Sequence, residues 1–319
     1  MRKGQNPAKF VKHVAKPERI TVAVLTYIPF LSGFYAESLD VLTACLNSLW
    51  QNTTLPFDLM IFDNGSCPEV VGFLQHAFKE GRIQYLVLSE KNLGKGGAWN
   101  VIFEAAPGEI LAYTDSDAYF YSGWLEASVD ILEMFPNVGM VTSRPFRTPP
   151  ELFSKTIEWA EAEPDVDIER GQYIPWEAFR EFDISLGQNE DEVQARYTST
   201  EDVRLTYRGV SAHVGASHWQ FVAWKSVVRQ FTPFEMNRPM GQVRELDRMV
   251  DQAGLLRLMT SEPLAMNMSN TLQSIPEEGT SRGSKVRSRS LGVMILNIPL
   301  IKRLLLFIYN RIFHWYYSK

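Results

Sequence analysis

Cysteine is scarce: Cys45 and Cys67 are the two present in 319 residues. Two thiols in so long a chain make no disulfide framework, and they favour a reducing compartment. No Cys/His spacing suits zinc. Long apolar runs are missing as well. The charged N-terminus leads into Pro, Lys and His rather than an apolar stretch, so no signal peptide is expected there. The longest uncharged stretch near the C-terminus, residues 291–301, falls well short of the roughly 20 residues that a spanning helix needs. Internal repeats and low-complexity tracts are absent. Acidic residues are absent from 280–319, which carry eight Lys/Arg, and nearly absent from 1–19, with six Lys/Arg and one acid. The formal net charge of -5 is therefore concentrated elsewhere: residues 151–192 hold thirteen acids against three basic residues. Such a run reads first as a solvated face or loop. With 45% hydrophobic and 12% aromatic residues, the rest is rich enough for a sizeable core.

Apolar runs and helical patterns alternate from Ile20 onward. Ile20–Thr26 is a β-branched run that predicts a buried strand. Leu39, Leu42, Leu46, Leu49 and Trp50 recur at helical spacing. Strands follow at 59–62, 83–88, 110–114 and 139–142, with helices at 70–78, 94–106 and 124–135 between them. This order predicts an α/β fold built on a mostly parallel sheet with helices on both faces. In such sheets ligands bind beyond the carboxyl ends of the strands. Past Ser143 the pattern loosens at Pro145, Pro149 and Pro150. Strands are expected again near 203–214 and 218–224, then a helix over 244–253 closed by Gly254. The organisation expected is a basic tail (1–18), a ligand-binding lobe (19–143), an acidic insertion or loop (144–195), a smaller second lobe (196–275) and a basic linker with an amphipathic helix (276–319).

Three polar motifs sit at predicted strand ends. Asp115 and Asp117, two residues apart after an apolar strand, can meet one hard cation and a phosphate together, as Mg²⁺ or Mn²⁺ require; alone they could equally be a solvated turn. Asp63-Asn64-Gly65-Ser66 is a turn signal whose carboxylate could accept from a base ring N–H; by itself it reads more readily as an Asx turn. Asn92-Leu93-Gly94-Lys95-Gly96-Gly97 precedes a helix, where glycines admit a ligand close to the backbone and the helix N-terminus favours phosphate. It matches neither a Walker loop nor the dinucleotide glycine fingerprint.

Taken together with Val22–Tyr27 and Ala98-x-Asn100, these motifs resemble the donor lobe of glycosyltransferase family 2, with its GT-A fold. The resemblance covers residues 19–142 closely and 196–272 loosely. It implies an inverting, metal-dependent transfer of a sugar from a nucleotide-diphosphate donor, UDP-type by family habit, to a hydroxyl of a glycan or lipid-linked acceptor. Under it Thr26 and Tyr27 line the base pocket, Asp63 reads the base, and Asn92, Gly94 and Lys95 lie along the nucleotide. Asp115 approaches ribose and metal, and Asp117 ligates the metal, Mg²⁺ or Mn²⁺. Glu37 is the nearest candidate for a further family acid after the first strand. A carboxylate base is expected at the start of the helix near 244, where Glu245 and Asp247 are alternatives with Asp247 preferred. The His that many relatives use as a metal ligand is missing from Ala265–Asn270; Asn267 could supply an oxygen instead. His213, His218 and Trp219 are candidates for either the acceptor face or the core.

Two other functions compete. A nucleotidyltransferase would carry a Gly-rich basic loop after the first strand, where this chain has Tyr27-Ile28-Pro29-Phe30. A catalytically degraded relative would bind a nucleotide or partner without turnover. In the C-terminal segment, Leu304, Leu305, Ile308, Ile312 and Trp315 share one helical face, as in an interfacial helix, although docking on the core or a dimer partner gives the same pattern. The expected location is cytoplasmic, peripheral on the inner face of a membrane, with an oligomer possible through this helix and no nucleic-acid partner.

Overall fold

The computed structural model describes residues 4–236, 243–272 and Arg311. The expected C-terminal amphipathic helix lies outside the described residues. In chain order the elements are β1 (Ile20–Thr26), α1 (Ser38–Asn52), β2 (Phe57–Asp63), α2 (Pro68–Lys79), β3 (Tyr85–Leu88), α3 (Gly94–Ala105), β4 (Ile110–Asp115), β5 (Ala118–Phe120), α4 (Trp124–Met134) and β6 (Val138–Thr142). They continue with α5 (Ser154–Ala162), β7 (Val166–Gly171), α6 (Trp176–Ser185), α7 (Glu190–Ser199), β8 (Asp202–Tyr207), β9 (Val210–Val214), β10 (Gln220–Trp224), α8 (Lys225–Val228), α9 (Val243–Gln252), β11 (Leu256–Met259) and β12 (Ala265–Asn267).

Ten strands form one sheet in the order β3-β2-β1-β4-β10-β6-β11-β9-β8-β7. The β3-β2-β1-β4 half is parallel, and seven of the ten strands share one direction. β1 is buried along its whole length. Its residues alternate between two cores, as the period of two requires. Val22 and Val24 pack on the face carrying α1, α2 and α4, and Ala23 and Leu25 on the face carrying α3 and α9. Covering both faces explains why these strands read as continuous apolar runs rather than alternating ones.

The boundary expected near 143 is crossed by the sheet, because β10 lies antiparallel between β4 and β6. The expected strand over 203–214 is a hairpin, β8 and β9, turned at Arg208 and Gly209, both with positive φ. The acidic stretch 144–195 is an ordered insertion rather than a loop: it carries α5, β7, α6 and α7. Its acids are distributed over exposed helix faces and ion pairs such as Arg180–Glu190. Buried Arg147 holds Asp202 at 2.6 Å, and Asp202 also accepts from the Tyr173 and Ile174 amides, which fastens the insertion to β8.

One close contact sets the position of α9. A Cβ built on Gly139 of β6 would lie 2.4 Å from Val250 Cγ1 and 2.9 Å from Leu255 Cβ. Gly139→Ala is expected to push α9 off the sheet and cost about 1–3 kcal/mol, the usual range for overpacking. Urea unfolding checks this, and an unchanged midpoint would mean that α9 does not press on β6.

Candidate active site

The parallel half of the sheet sends β1, β2 and β4 to the same edge, and a cleft of about 480 Å³ opens there. That is the size range of small-molecule sites. Its walls include Tyr27 beyond β1, Asn64 beyond β2, Asn92 and Lys95 at the start of α3, and Asp115, Ser116 and Asp117 at the end of β4. Phe34, Tyr35, Ser269 and Asn270 close the other side.

Each wall is built by local chemistry. The Asp63–Ser66 turn is tied to the end of β1 by Asn64 N–H donating to Thr26 O (2.9 Å) and Ile28 N–H donating to Ser66 Oγ (2.9 Å). Gly65 has φ +91°, and a side chain there would press on the backbone of Lys91 and Asn92 at 3.2 Å, so a residue without one is needed. Asn64 Nδ2 donates to Asn92 Oδ1 (3.0 Å), while Leu93 N–H donates to Asn64 Oδ1 (2.9 Å). Asn92 Oδ1 also receives Gly94 N–H at 2.8 Å. These bonds clamp the glycine segment, so that α3 directs its N-terminus and Lys95 into the cleft.

Lys95 Nζ donates to Asp115 Oδ2 at 2.5 Å, and Tyr113 O–H, two residues back on the same face of β4, donates to Oδ1 at 2.6 Å. Burial, with the Asp115 charge beside it, holds the Tyr113 phenol well above its usual range. Asp117 has no such partners. Burial first, and then the Asp115 charge, push its carboxyl up to about 7, against the pull of Lys95. A half-buried carboxylate beside a second one, lacking a cation of its own, is a donor set that suits a hard divalent ion. Among the described residues no group of three or more His, Cys, Asp or Glu gathers. Asp115 and Asp117 would therefore be the protein's acidic ligands, with water and ligand oxygens completing the shell.

The expected site residues separate into two groups. Tyr27, Asn92, Lys95, Asp115 and Asp117 line the cleft. Thr26 is buried behind it, and Gly94, at φ +69°, opens α3. Asp63 is 1% exposed; its Oδ2 accepts from the Gly65 and Ser66 amides, and its Oδ1 is buried with no hydrogen-bond partner among the described residues. Asn64 lines the cleft but is 3% exposed, its amide being spent on Asn92, Leu93 and Gly94. The Asx-turn pattern was the available signal, because the first residue of such a turn bonds to the backbone two residues on. Glu37 is not a cleft wall either; its carboxylate accepts from Thr271 Oγ1 at 2.9 Å and braces the 270–272 segment. Asn267 Oδ1 is occupied by Ser269 N–H at 2.7 Å, although Met268 N–H donates to Asp117 O and brings that segment to the cleft. His213 is buried away from the cleft, and burial lowers its pKa.

The two candidate bases differ sharply. Glu245 is exposed in the first turn of α9. Asp247 is buried, and both its oxygens are engaged: Oδ1 by Arg257 at 2.7 Å and Oδ2 by His218 Nδ1 at 2.6 Å. Arg257 is 0% exposed and also donates to Ala216 O at 2.6 Å. Asp247 is thus not a free proton acceptor.

Residues 33–187 match the family model described as Glycosyl transferase family 2. An uncharacterized glycosyltransferase of Nostoc sp., alr2836, is 26% identical over 100 residues. That match spans 31% of this chain and 31% of the relative, so the chain covers about a third of the curated relative's length. Among solved structures, the mannosyltransferase PcManGT of Pyrobaculum calidifontis is similar with a TM-score of 0.46 and 15% identity, over 83% of this chain and 59% of that one. S. aureus TarS 1-349 has a TM-score of 0.42 and 15% identity, over 76% of this chain and 57% of that one.

Proposed function

From the match of residues 33–187 to the glycosyl transferase family 2 model we propose that the chain transfers a sugar from a nucleoside-diphosphate donor, of the uridine type, to a hydroxyl with inversion. The observation that carries this reading is the convergence of Asn64, Asn92, Lys95, Asp115 and Asp117 on one cleft at the carboxyl edge of the parallel strands.

In this reading Tyr27 offers its ring to the base, Asp63 Oδ1 accepts from a base ring N–H, and Asn92 offers its amide nitrogen to the nucleoside. The ammonium of Lys95 and the N-terminus of α3 face the diphosphate. Asp115 and Asp117 would hold Mg²⁺ or Mn²⁺, which when bound would offset the charge that develops on the leaving diphosphate. Lys95 releases part of its hold on Asp115 as donor phosphates arrive. A screen of uridine and guanosine diphosphate sugars with Mn²⁺ or Mg²⁺, reading nucleoside diphosphate release, tests the reading. Binding without release from any donor would favour the non-catalytic relative.

The acceptor proposal is a glycan or lipid-linked hydroxyl at a membrane surface. What supports it is the basic composition of 281–289 and the sequence spacing of Leu304, Leu305, Ile308, Ile312 and Trp315. Among the described residues no helix is long and apolar enough to cross a membrane. Deleting residues 281–319 is expected to move the chain from the pellet to the supernatant in sedimentation with anionic lipid vesicles. Unchanged sedimentation would remove the membrane part of the proposal.

A further inference from the structure

Asp115 has both carboxylate oxygens engaged within the chain. Tyr113 O–H holds Oδ1 at 2.6 Å, and the Lys95 ammonium holds Oδ2 at 2.5 Å. The two partners differ in freedom. Tyr113 is 0% exposed, and its ring packs edge-on against buried Trp99 with centroids 5.7 Å apart, so its hydroxyl is fixed by the core. Lys95 carries its charge on a flexible stem, from the second residue of α3. Its side chain is 10% exposed, and the ammonium lies 5.5 Å from the Trp99 ring and 5.7 Å from that of Tyr113. Among the residues that line the cleft it is the single cationic side chain.

A divalent ion at this carboxylate pair would need an oxygen that Lys95 already holds. With Oδ1 committed to Tyr113, the contested oxygen is Oδ2. An ion there would be a second cation at an oxygen with an ammonium 2.5 Å away, and like charges so close in a site with little water repel strongly. A diphosphate shifts that balance in two ways. It offers the ammonium another anion beside the N-terminus of α3, which itself favours phosphate. It also offers oxygen ligands that the chain lacks, since no third acid or His gathers among the described residues.

We propose that Lys95 is an exchangeable internal counter-ion: it holds Asp115 Oδ2 in the donor-free chain, weakens cation binding there, and yields that oxygen as it turns to the donor diphosphate, while Tyr113 keeps the carboxylate in place. This rests on the donor-site reading of the cleft. The exchange couples the two ligands, so each raises the affinity for the other by the same factor. Tyr113 acts as a positioning residue, because it leaves one oxygen of Asp115 open to exchange rather than two.

The experiment compares wild type, Lys95→Met, Lys95→Ala and Asp117→Ala by calorimetry, with Mn²⁺ alone and with UDP in EDTA. Thermal unfolding checks that each variant is folded; Met keeps an apolar stem against the two rings. Removing Lys95 is expected to raise the Mn²⁺ affinity of the donor-free chain about 5–150-fold, the usual size of a coupling between two sites, and to weaken metal-free UDP binding. The opposite signs separate the readings. A lysine that only props the fold would lower both affinities, and one that only meets phosphate would leave Mn²⁺ binding unchanged. In a Tyr113→Phe background, which opens Oδ1 to the ion, the gain from Lys95→Met should shrink; an equal gain would remove Tyr113 from the exchange. Mn²⁺ affinity of both Lys95 variants at or below that of wild type, with binding still lost in Asp117→Ala, overturns the exchange alone. Failure of the wild type to bind UDP even with Mn²⁺, or undiminished Mn²⁺ binding by Asp117→Ala, overturns the donor-site reading and the exchange with it.

Discussion

Asp117→Ala is expected to lower nucleoside diphosphate release by at least about 10²-fold, the scale seen when a group that stabilises transition-state charge is removed, while leaving the metal-free chain folded and no less stable. The two halves of that result have one cause. Asp117 is half-buried, and burial first, then the Asp115 charge, push its carboxyl up to about 7. In the unfolded chain it would ionise at the ordinary value, near 4. Between those values the folded state holds one more proton than the unfolded one, so the contribution of this group to stability falls as pH rises through the window. Substitution removes that penalty. A bound Mn²⁺ must displace the same proton, so apparent Mn²⁺ affinity should rise roughly tenfold per pH unit below about 7 and level off above it. Calorimetric titration with Mn²⁺ from pH 5.5 to 8.5, alongside thermal unfolding of the metal-free variant, checks both. A metal affinity flat across pH 6, or a marked loss of stability in Asp117→Ala, would show that this carboxylate serves the fold rather than a cation.

Asp247→Ala should behave in the opposite way. Its side chain is 5% exposed and Arg257 is fully buried, so removing the carboxylate leaves a guanidinium in the interior without its ion partner. Breaking a buried pair from one side costs about 3–5 kcal/mol. Asp251, four residues along α9, is committed to Ser154 Oγ (2.9 Å) and Lys155 N–H (3.1 Å), so it is not free to replace Asp247. Denaturant unfolding is expected to show the loss, with substantial recovery when Arg257→Met is added, because the double variant buries no lone charge. A single variant within about 1 kcal/mol of wild type would mean that water or the backbone carbonyls already satisfy Arg257. The contrast with Asp117 is the useful part: one carboxylate is strained by its surroundings and suited to a ligand, whereas the other is held by them.

The comparison of sequence with structure divides along the same line. β1, β2 and β4, with α1, α2 and α3, could be read from apolar periodicity, because burial on both faces of a parallel strand writes itself into adjacent residues. The end of α9 was equally legible, since Gly254 at φ +73° is a local stop signal. The cleft was legible for a related reason. Parallel strands bring their carboxyl ends to one edge whatever follows them, so Lys95, Asp115 and Asp117 had to meet once the strand order was right. The insertion 144–195 was not legible, since α7 is mostly solvated and the one strand of the insertion pairs at the sheet edge. Nor was the role of Asn64, whose amide is spent on Asn92, Leu93 and Gly94. Least visible of all was the group made by His218, Asp247 and Arg257. It joins the loop before β10, the middle of α9 and β11 only because β6 and β11 pack α9 against the sheet. Local pattern decides which segments are strands and which end they present; only contacts between distant segments decide which polar side chains are spent holding the fold and which are left facing a ligand.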